Sequence, residues 1–219
     1  MTKIDFKREL KHLYAPSRGV FTTVEVPDMQ FLMVDGAGDP NSAQRYQDAV
    51  SALYAVAYKL KFMSKRTLER DYVVPPLEGL WWMPGLDGLA KADSVEAWLA
   101  AFAASDRDMW QWTMMIMQPD WITPEMVAEA HESALEDEDT RTMQAMRLAV
   151  FQEGMAVQTL HVGPYAAEGP LLADLHVNVL PAQGLREAGK HHEIYLSDPR
   201  RVAPEKLKTV LRQPVQPFE

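Results

Sequence analysis

Tyr46, Ala49, Leu53, Val56 and Leu60 recur at the spacing of one helix face, so residues 43–63 read as a long amphipathic helix with Asn41 or Ser42 as its cap. A single apolar stripe of that length has to be laid on another layer. The segments around it supply one: 20–26, 30–34, 77–83, 109–117, 155–162 and 191–196 are short, apolar and bounded by turn signals, and they read as strands. Asp35-Gly36-Ala37-Gly38-Asp39-Pro40 reads as a loop. Further helices are expected at 95–104, onward from the Thr123-Pro124-Glu125 opening, and at 142–151, 170–180 and 204–211, with a loop over 181–189.

A faint duplication runs through this order. The stretches from Met117 through Pro124-Glu125 and from Leu196 through Pro204-Glu205 both pass from a strand, through a proline turn, to a Pro-Glu opening, at an offset of about 80 residues. Two strand–helix–strand–strand units give an α+β fold: one antiparallel sheet with two long helices on one face. The expected organisation is an N-terminal extension over 1–19 and a single domain over 20–215, with pseudo-repeat halves near 20–138 and 139–215.

Lys+Arg number 22 against 31 Asp+Glu, a net charge of −9 and a pI near 5.2, which argues against broad contact with a phosphate backbone. Beyond the first 20 or so residues there is no room for an added DNA-reading module, and no direct nucleic-acid partner is expected. Cysteine is absent, so disulfides, thiolate nucleophiles and Cys-ligated metals are excluded. No apolar run is long enough to span a membrane and no signal peptide is evident, so a cytoplasmic location is expected. Gly36-Ala37-Gly38 lacks the third glycine and acidic partner of a dinucleotide fingerprint. The acidic residues Glu129, Glu132 and Glu136 to Asp139 read as a solvated helix face and loop. No cofactor is expected.

The richest segment is Lys190-His191-His192-Glu193-Ile194-Tyr195-Leu196. On a strand, His191, Glu193 and Tyr195 share one face and His192, Ile194 and Leu196 the other. Ile194 and Leu196 call for a core, which turns Glu193 and Tyr195 away from the helices; a Glu193 side chain on the helix-packed face would remove the whole cleft argument. The offset sets His191 against Trp112, Glu193 against Met114 and Tyr195 against Ile116, so Trp110, Trp112, Met114 and Ile116 form the matching face. Trp81 and Trp82 alternate on a neighbouring strand, so one of them should join it, while Trp98 reads as helix core. The expected result is an aromatic wall around one carboxylate. The two histidines point oppositely and cannot share an ion with Glu193, so no metal is expected.

At this point the residues resemble a known family. Leu160-His161-Val162-Gly163-Pro164-Tyr165, the 190–201 string and Pro204 to Pro214 are similar to the GyrI-like small-molecule-binding domains, and Leu77-Glu78-Gly79-Leu80-Trp81-Trp82 resembles their middle segment. The likeness covers roughly 20–215. One departure is Gly169-Pro170-Leu171-Leu172 after Tyr165, which bears on pocket shape. The resemblance implies a ligand cleft between the halves, with Glu193 as its acidic centre and Tyr165, Tyr195, Trp81, Trp82, Trp110, Trp112 and His191 around it. It implies hydrophobic, planar and often cationic small-molecule ligands. For stand-alone members it implies hydrolysis of cyclopropane-bearing toxins, with Glu193 and Tyr165 catalytic. The alternatives are a non-catalytic binder or sensor, and a gyrase-inhibitor-like interaction protein.

Overall fold

The computed structural model describes residues 2–83, 89, 92–134 and 140–218. Its N-terminal residues are built into the fold. Ile4 pairs with Tyr72, α1 (Phe6–Glu9) and α2 (Lys11–Tyr14) follow, and Leu13 and Tyr14 are fully packed. β1 (Thr22–Val26) and β2 (Met29–Ala37) lead to α3 (Gln44–Thr67), then β3 (Leu77–Trp82), α4 (Val95–Ala103), β4 (Gln111–Gln118) and α5 (Pro124–Ala134). The second part begins with α6 (Thr140–Ala145), β5 (Arg147–Phe151) and β6 (Gly154–Val162). It continues through α7 (Gly169–Asp174), a π-helical stretch (Leu175–Val179) and α8 (Leu180–Ala182). Pro181 explains the widened turn, since its ring would crowd the carbonyl of Val177 in a regular α-helix. β7 (Leu185–Glu187), β8 (His191–Tyr195) and β9 (Lys208–Pro217) complete the chain.

All the strands pair antiparallel in the order β1-β6-β9-β8-β3-β4-β2-β5, with β7 joined to β9. That order is symmetric about the central β8·β3 pair. The equivalent strands are therefore β8 and β3, and β9 and β4. This corrects the offset of about 80, which set β8 against β4. The residues it matched are nonetheless neighbours in cross-strand rows: Glu193 faces Gly79, which faces Met114, and Tyr195 faces Leu77, which faces Ile116. One register also joins β1 to β6 and β2 to β5, so 22–37 and 147–162 are two long bent segments paired on both sides of their kinks.

Helices α3 and α5 cover one half of one sheet face, burying Leu32, Val34, Trp112, Met114 and Ile116 against Ala49, Leu53, Val56 and Leu60. The α7–α8 run covers the other half, where Leu175 and Leu180 meet Val157 and Val215. The opposite face is closed by the N-terminal strap: Leu13 and Tyr14 lie on Val26, Ile194 and Val210, while Phe6 and Leu10 lie on Phe31, Met33, Leu80, Met115 and Met117.

Local expectations fail in five places. Ala43 rather than Asn41 or Ser42 precedes α3, without a side-chain cap, and the loop expected over 181–189 holds the end of α8 and the strand β7. Residues 147–151 are a strand and only 140–145 are helical. Residues 204–211 give one 3-10 turn (Pro204–Lys206) and then β9, which is buried on both faces between β6 and β8 and so shows no alternation for the sequence to reveal. The Asp35 loop is in fact the end of β2, since Gly36 and Ala37 still pair with Trp112 and Gln111. Glu136 to Asp139 and the glycine-containing loop after Met83 lie outside the described residues, Leu89, Ala92, Asp93 and Ser94 apart. No helix among the described residues is long and apolar enough to cross a membrane.

Candidate functional site

Glu193 lies in the middle of β8, and its row across the sheet runs through Leu211, Gly79, Met114 and Val34. Those residues belong to the helix-covered face. The expected orientation was therefore inverted, and the inference from a wetted, helix-free face falls with it. Ile194 does find a core, but that core is the N-terminal strap. The case for a site rests instead on what surrounds the Glu193 carboxylate between the two helical layers.

Tyr195 donates its hydroxyl hydrogen to Glu193 Oε2 at 2.7 Å and accepts from Trp81 Nε1 at 2.9 Å. Gly79, opposite Glu193, makes room for this: a Cβ there would lie 2.8 Å from Trp81 Nε1 and 3.2 Å from Met114 Sδ. Rings continue outward from Trp81 to Tyr46 on α3 and to Trp110, then to Phe102 and Trp98 on α4, and to His176 stacked on Trp98. Tyr165 packs edge-on to Tyr195 with centroids 5.7 Å apart and is 38% exposed, while the Glu193 side chain is 16% exposed. His191 Nε2 lies 3.7 Å from Glu193 Oε1; burial, reinforced by repulsion from His176 and His192, pushes its pKa down to about 3, so it is a neutral neighbour.

A second carboxylate, Glu168, sits at the mouth of α7. It is buried, and its Oε1 has no hydrogen-bond partner among the described residues. Burial and the charge of Glu193 raise its pKa to about 9 against an opposing pull from Thr209. Burial likewise raises Glu193 to about 7, held back by the Tyr195 hydrogen bond and by His192 behind the sheet. Near neutral pH the two carboxyl groups titrate together, and burial with mutual repulsion makes the pair retain a proton. Trp110 and Trp112 Nε1 are also buried donors without partners among the described residues.

The expected residues separate into groups. Glu193, Tyr195, Tyr165, Trp81, Trp110 and His191 share this side. Trp112 is on the right face but fully buried, with Tyr46 edge-on to it and its ring over Gly36, where a Cβ would approach within 2.1 Å. It supports the site from beneath. Trp82 points to the opposite face, carrying Lys190 Nζ 3.2 Å from its ring centroid, and takes no part. Sequence reasoning missed Glu168 and Tyr46. Nothing in the run Ala166-Ala167-Glu168-Gly169 marks a buried acid, and Tyr46 merges with the apolar stripe of α3. The Gly169-Pro170 departure also has a local role, because Gly169 lets α4 approach: a Cβ there would meet Leu99 Cδ2 at 3.2 Å.

The model of the GyrI-like small molecule binding domain matches residues 21–216. The chain belongs to the GyrI-like family. This GyrI-like chain is similar to a conserved protein from Listeria innocua whose crystal structure is solved: 46% identity over 98% of this chain and 100% of that one, TM-score 0.82. It is also similar to a Listeria innocua protein described as a hydrolase, at 43% identity, with the same shares covered and a TM-score of 0.79. The C-terminal domain of EcmrR, 11% identical over 91% of this chain and 98% of that one with a TM-score of 0.53, shares the fold. No curated protein matches this GyrI-like chain.

Proposed function

We propose that this GyrI-like domain binds flat hydrophobic molecules against Trp81, Tyr165 and Tyr195 and hydrolyses those carrying a strained cyclopropane ring, with Glu193 as general base. The observation that carries the reading is the Glu193 and Glu168 pair: two carboxylates withdrawn from water, beside aromatic rings, with no charged cation on their own face among the described residues. Their pKa values are pushed apart, as in acid and base pairs. In the proposed step Glu193 takes a proton from water as its oxygen bonds to the less hindered ring carbon. The cyclopropane C–C bond breaks and its electron pair passes into a conjugated dienone, giving a phenolate. Glu168 protonates that oxygen, and Glu193 then returns its proton to Glu168, so that one water is added overall. Aromatisation drives the reaction, and general-base help of about 10²- to 10⁴-fold suffices. The relative described as a hydrolase supports this class of chemistry.

Incubation with a cyclopropane-bearing dienone, followed by mass spectrometry, should show a product heavier by one water. Glu193→Gln should lower turnover at least about 10²-fold while neutral aromatics bind within a few-fold. The wild-type rate should rise with pH through a limb near 7 that is lost in the variant. Turnover unchanged in Glu193→Gln sinks the catalytic role. The same absence of a cation favours a second reading, a binder of flat cations such as ethidium. It predicts no product from either protein and a selective loss of cation affinity in Glu193→Gln.

A further inference from the structure

The N-terminal strap covers the second sheet face over only part of its length. Past Met33 and Leu80 that face opens into a cavity of about 440 Å³ lined chiefly by Asp35, Arg45, Trp82, Gln111, Arg147 and Lys190. Three of these are cations and one is an acid, in a chain whose net charge is −9. The acid is already spoken for. Arg147 grips Asp35 with two donors, Nη1 to Oδ2 at 2.8 Å and Nη2 to Oδ1 at 3.1 Å, and the Thr113 hydroxyl adds a third at 2.7 Å.

Arg45 and Lys190 are left over. Arg45 Nη2 donates only to the main-chain oxygen of Asp35, at 3.1 Å, and Lys190 is held over the Trp82 ring. Neither has a carboxylate within ion-pair distance among the described residues. A half-buried ammonium fixed on an indole, with an unmatched guanidinium on the same cavity wall, is a preformed seat for an oxyanion. We propose that this cavity is a second binding site, taking small organic anions whose phosphate or carboxylate is held by Lys190 and Arg45 and whose apolar part rests on Trp82. It is independent of the carboxylate cleft: consecutive residues of β3, Trp81 and Trp82, face the cleft and the cavity respectively. The unmatched carboxylates of the first site disfavour anions there, so an anion has one of the two sites open to it.

The test is calorimetric titration of the full chain at low salt with phenyl phosphate, benzoate, inorganic phosphate and phenol. Phenyl phosphate and benzoate should bind, phenol should not displace them, and affinity should fall as salt is raised. Arg45→Glu and Lys190→Glu should each weaken phenyl phosphate by about ten-fold or more. Arg45 is exposed and Lys190 half-buried, and circular dichroism checks folding, with Lys190→Gln as the milder substitute. Glu193→Gln, which alters the cleft alone, should leave this binding within about two-fold. Undiminished binding in both charge reversals, or none at millimolar phenyl phosphate, overturns the site. Inorganic phosphate binding as tightly as phenyl phosphate overturns the role given to Trp82.

Discussion

The two faces of the sheet each take a pair of carboxylates out of water and treat them in opposite ways. On the strap side, Glu78 accepts from Tyr14 at 2.8 Å and from His192 Nε2 at 2.9 Å. Glu153 accepts from His192 Nδ1 at 2.8 Å and from Arg212 Nη1 at 3.0 Å. Burial alone would discharge His192, but Glu153 and Glu78 carry its pKa up to about 9. Two acids therefore meet two cations. Arg212 completes the network by donating to Leu13 O and Gln158 Oε1, and Gln158 donates to His12 O, so the charges bind the strap to the sheet. On the helix side Glu193 has a single phenol donor and Glu168 an unpartnered oxygen. Burial separates the pairs only in degree, with the Glu78 and Glu153 side chains 0% and 1% exposed and Glu193 16%, and does not explain the contrast. The missing counter-charge does, and it marks which pair is free to interact with something else.

The sharpest way to break this contrast is to unbalance the satisfied side. Arg212→Met should remove one of the two donors to Glu153 and leave Leu13 O and Gln158 Oε1 unpaired, costing about 3–5 kcal/mol in urea unfolding. Glu193→Gln, which removes a charge that has no partner, should cost nothing or stabilise. Equal losses in the two variants would show that the helix side is as structurally committed as the strap side.

Stability as a function of pH gives the next largest effect, with opposite signs for the strap-side carboxylate Glu153 and the helix-side carboxylate Glu193. Glu153 is pulled down to about 2, since His192 and Arg212 outweigh its burial. Its contribution is present above its ordinary range near 4.5 and is lost as pH falls through about 2. His192 contributes fully below about 6.5, and that contribution is lost as pH rises through about 9. Glu193 is an acid whose folded value is raised to about 7, so the folded state holds the proton more tightly and stability declines as pH rises from about 4.5 to 7. The stability advantage of Glu193→Gln over wild type should grow by on the order of 2–3 kcal/mol between pH 4 and pH 8. A flat difference would place the Glu193 carboxylate in water.

How much of this could be read in the sequence follows from how each feature is encoded. The α3 stripe, the central strands and the shared face of His191, Glu193 and Tyr195 are periodic, and periodicity survives in one dimension. The side on which that face would lie was inverted because Ile194 and Leu196 announce a core without saying what builds it. The strap that covers them comes from Leu10, Leu13 and Tyr14, far away in sequence. Glu78, Glu153 and Arg212 carried no mark in the sequence, since only the pairing of β3, β8 and β9 and the turn between β5 and β6 bring them together. Edge strand β5 and doubly buried β9 carried too little alternation to outweigh local helix signals. Gly36 and Gly79 gave no signal beyond their size. Their role emerges only once an indole lies across each of them.

The smallest expected effect separates adjacent residues. Trp81 and Trp82 are chemically identical, yet β3 turns them to opposite faces, the first donating to Tyr195 beside the unmatched carboxylates and the second lying under Lys190. Trp81→Phe keeps a ring but deletes the donor that fixes the Tyr195 oxygen, a neutral hydrogen bond worth about 1 kcal/mol, so ethidium affinity in the cleft should fall by about five-fold. Trp82→Phe weakens a cation–π contact at the surface of the other face, worth about 0.5–1 kcal/mol to folding at most, and should leave cleft affinity within about two-fold. Fluorescence titration of ethidium into the two variants reads the difference directly. A loss in Trp82→Phe matching that in Trp81→Phe would mean that the two faces communicate through β3 and that the charge contrast between them does not define separate sites.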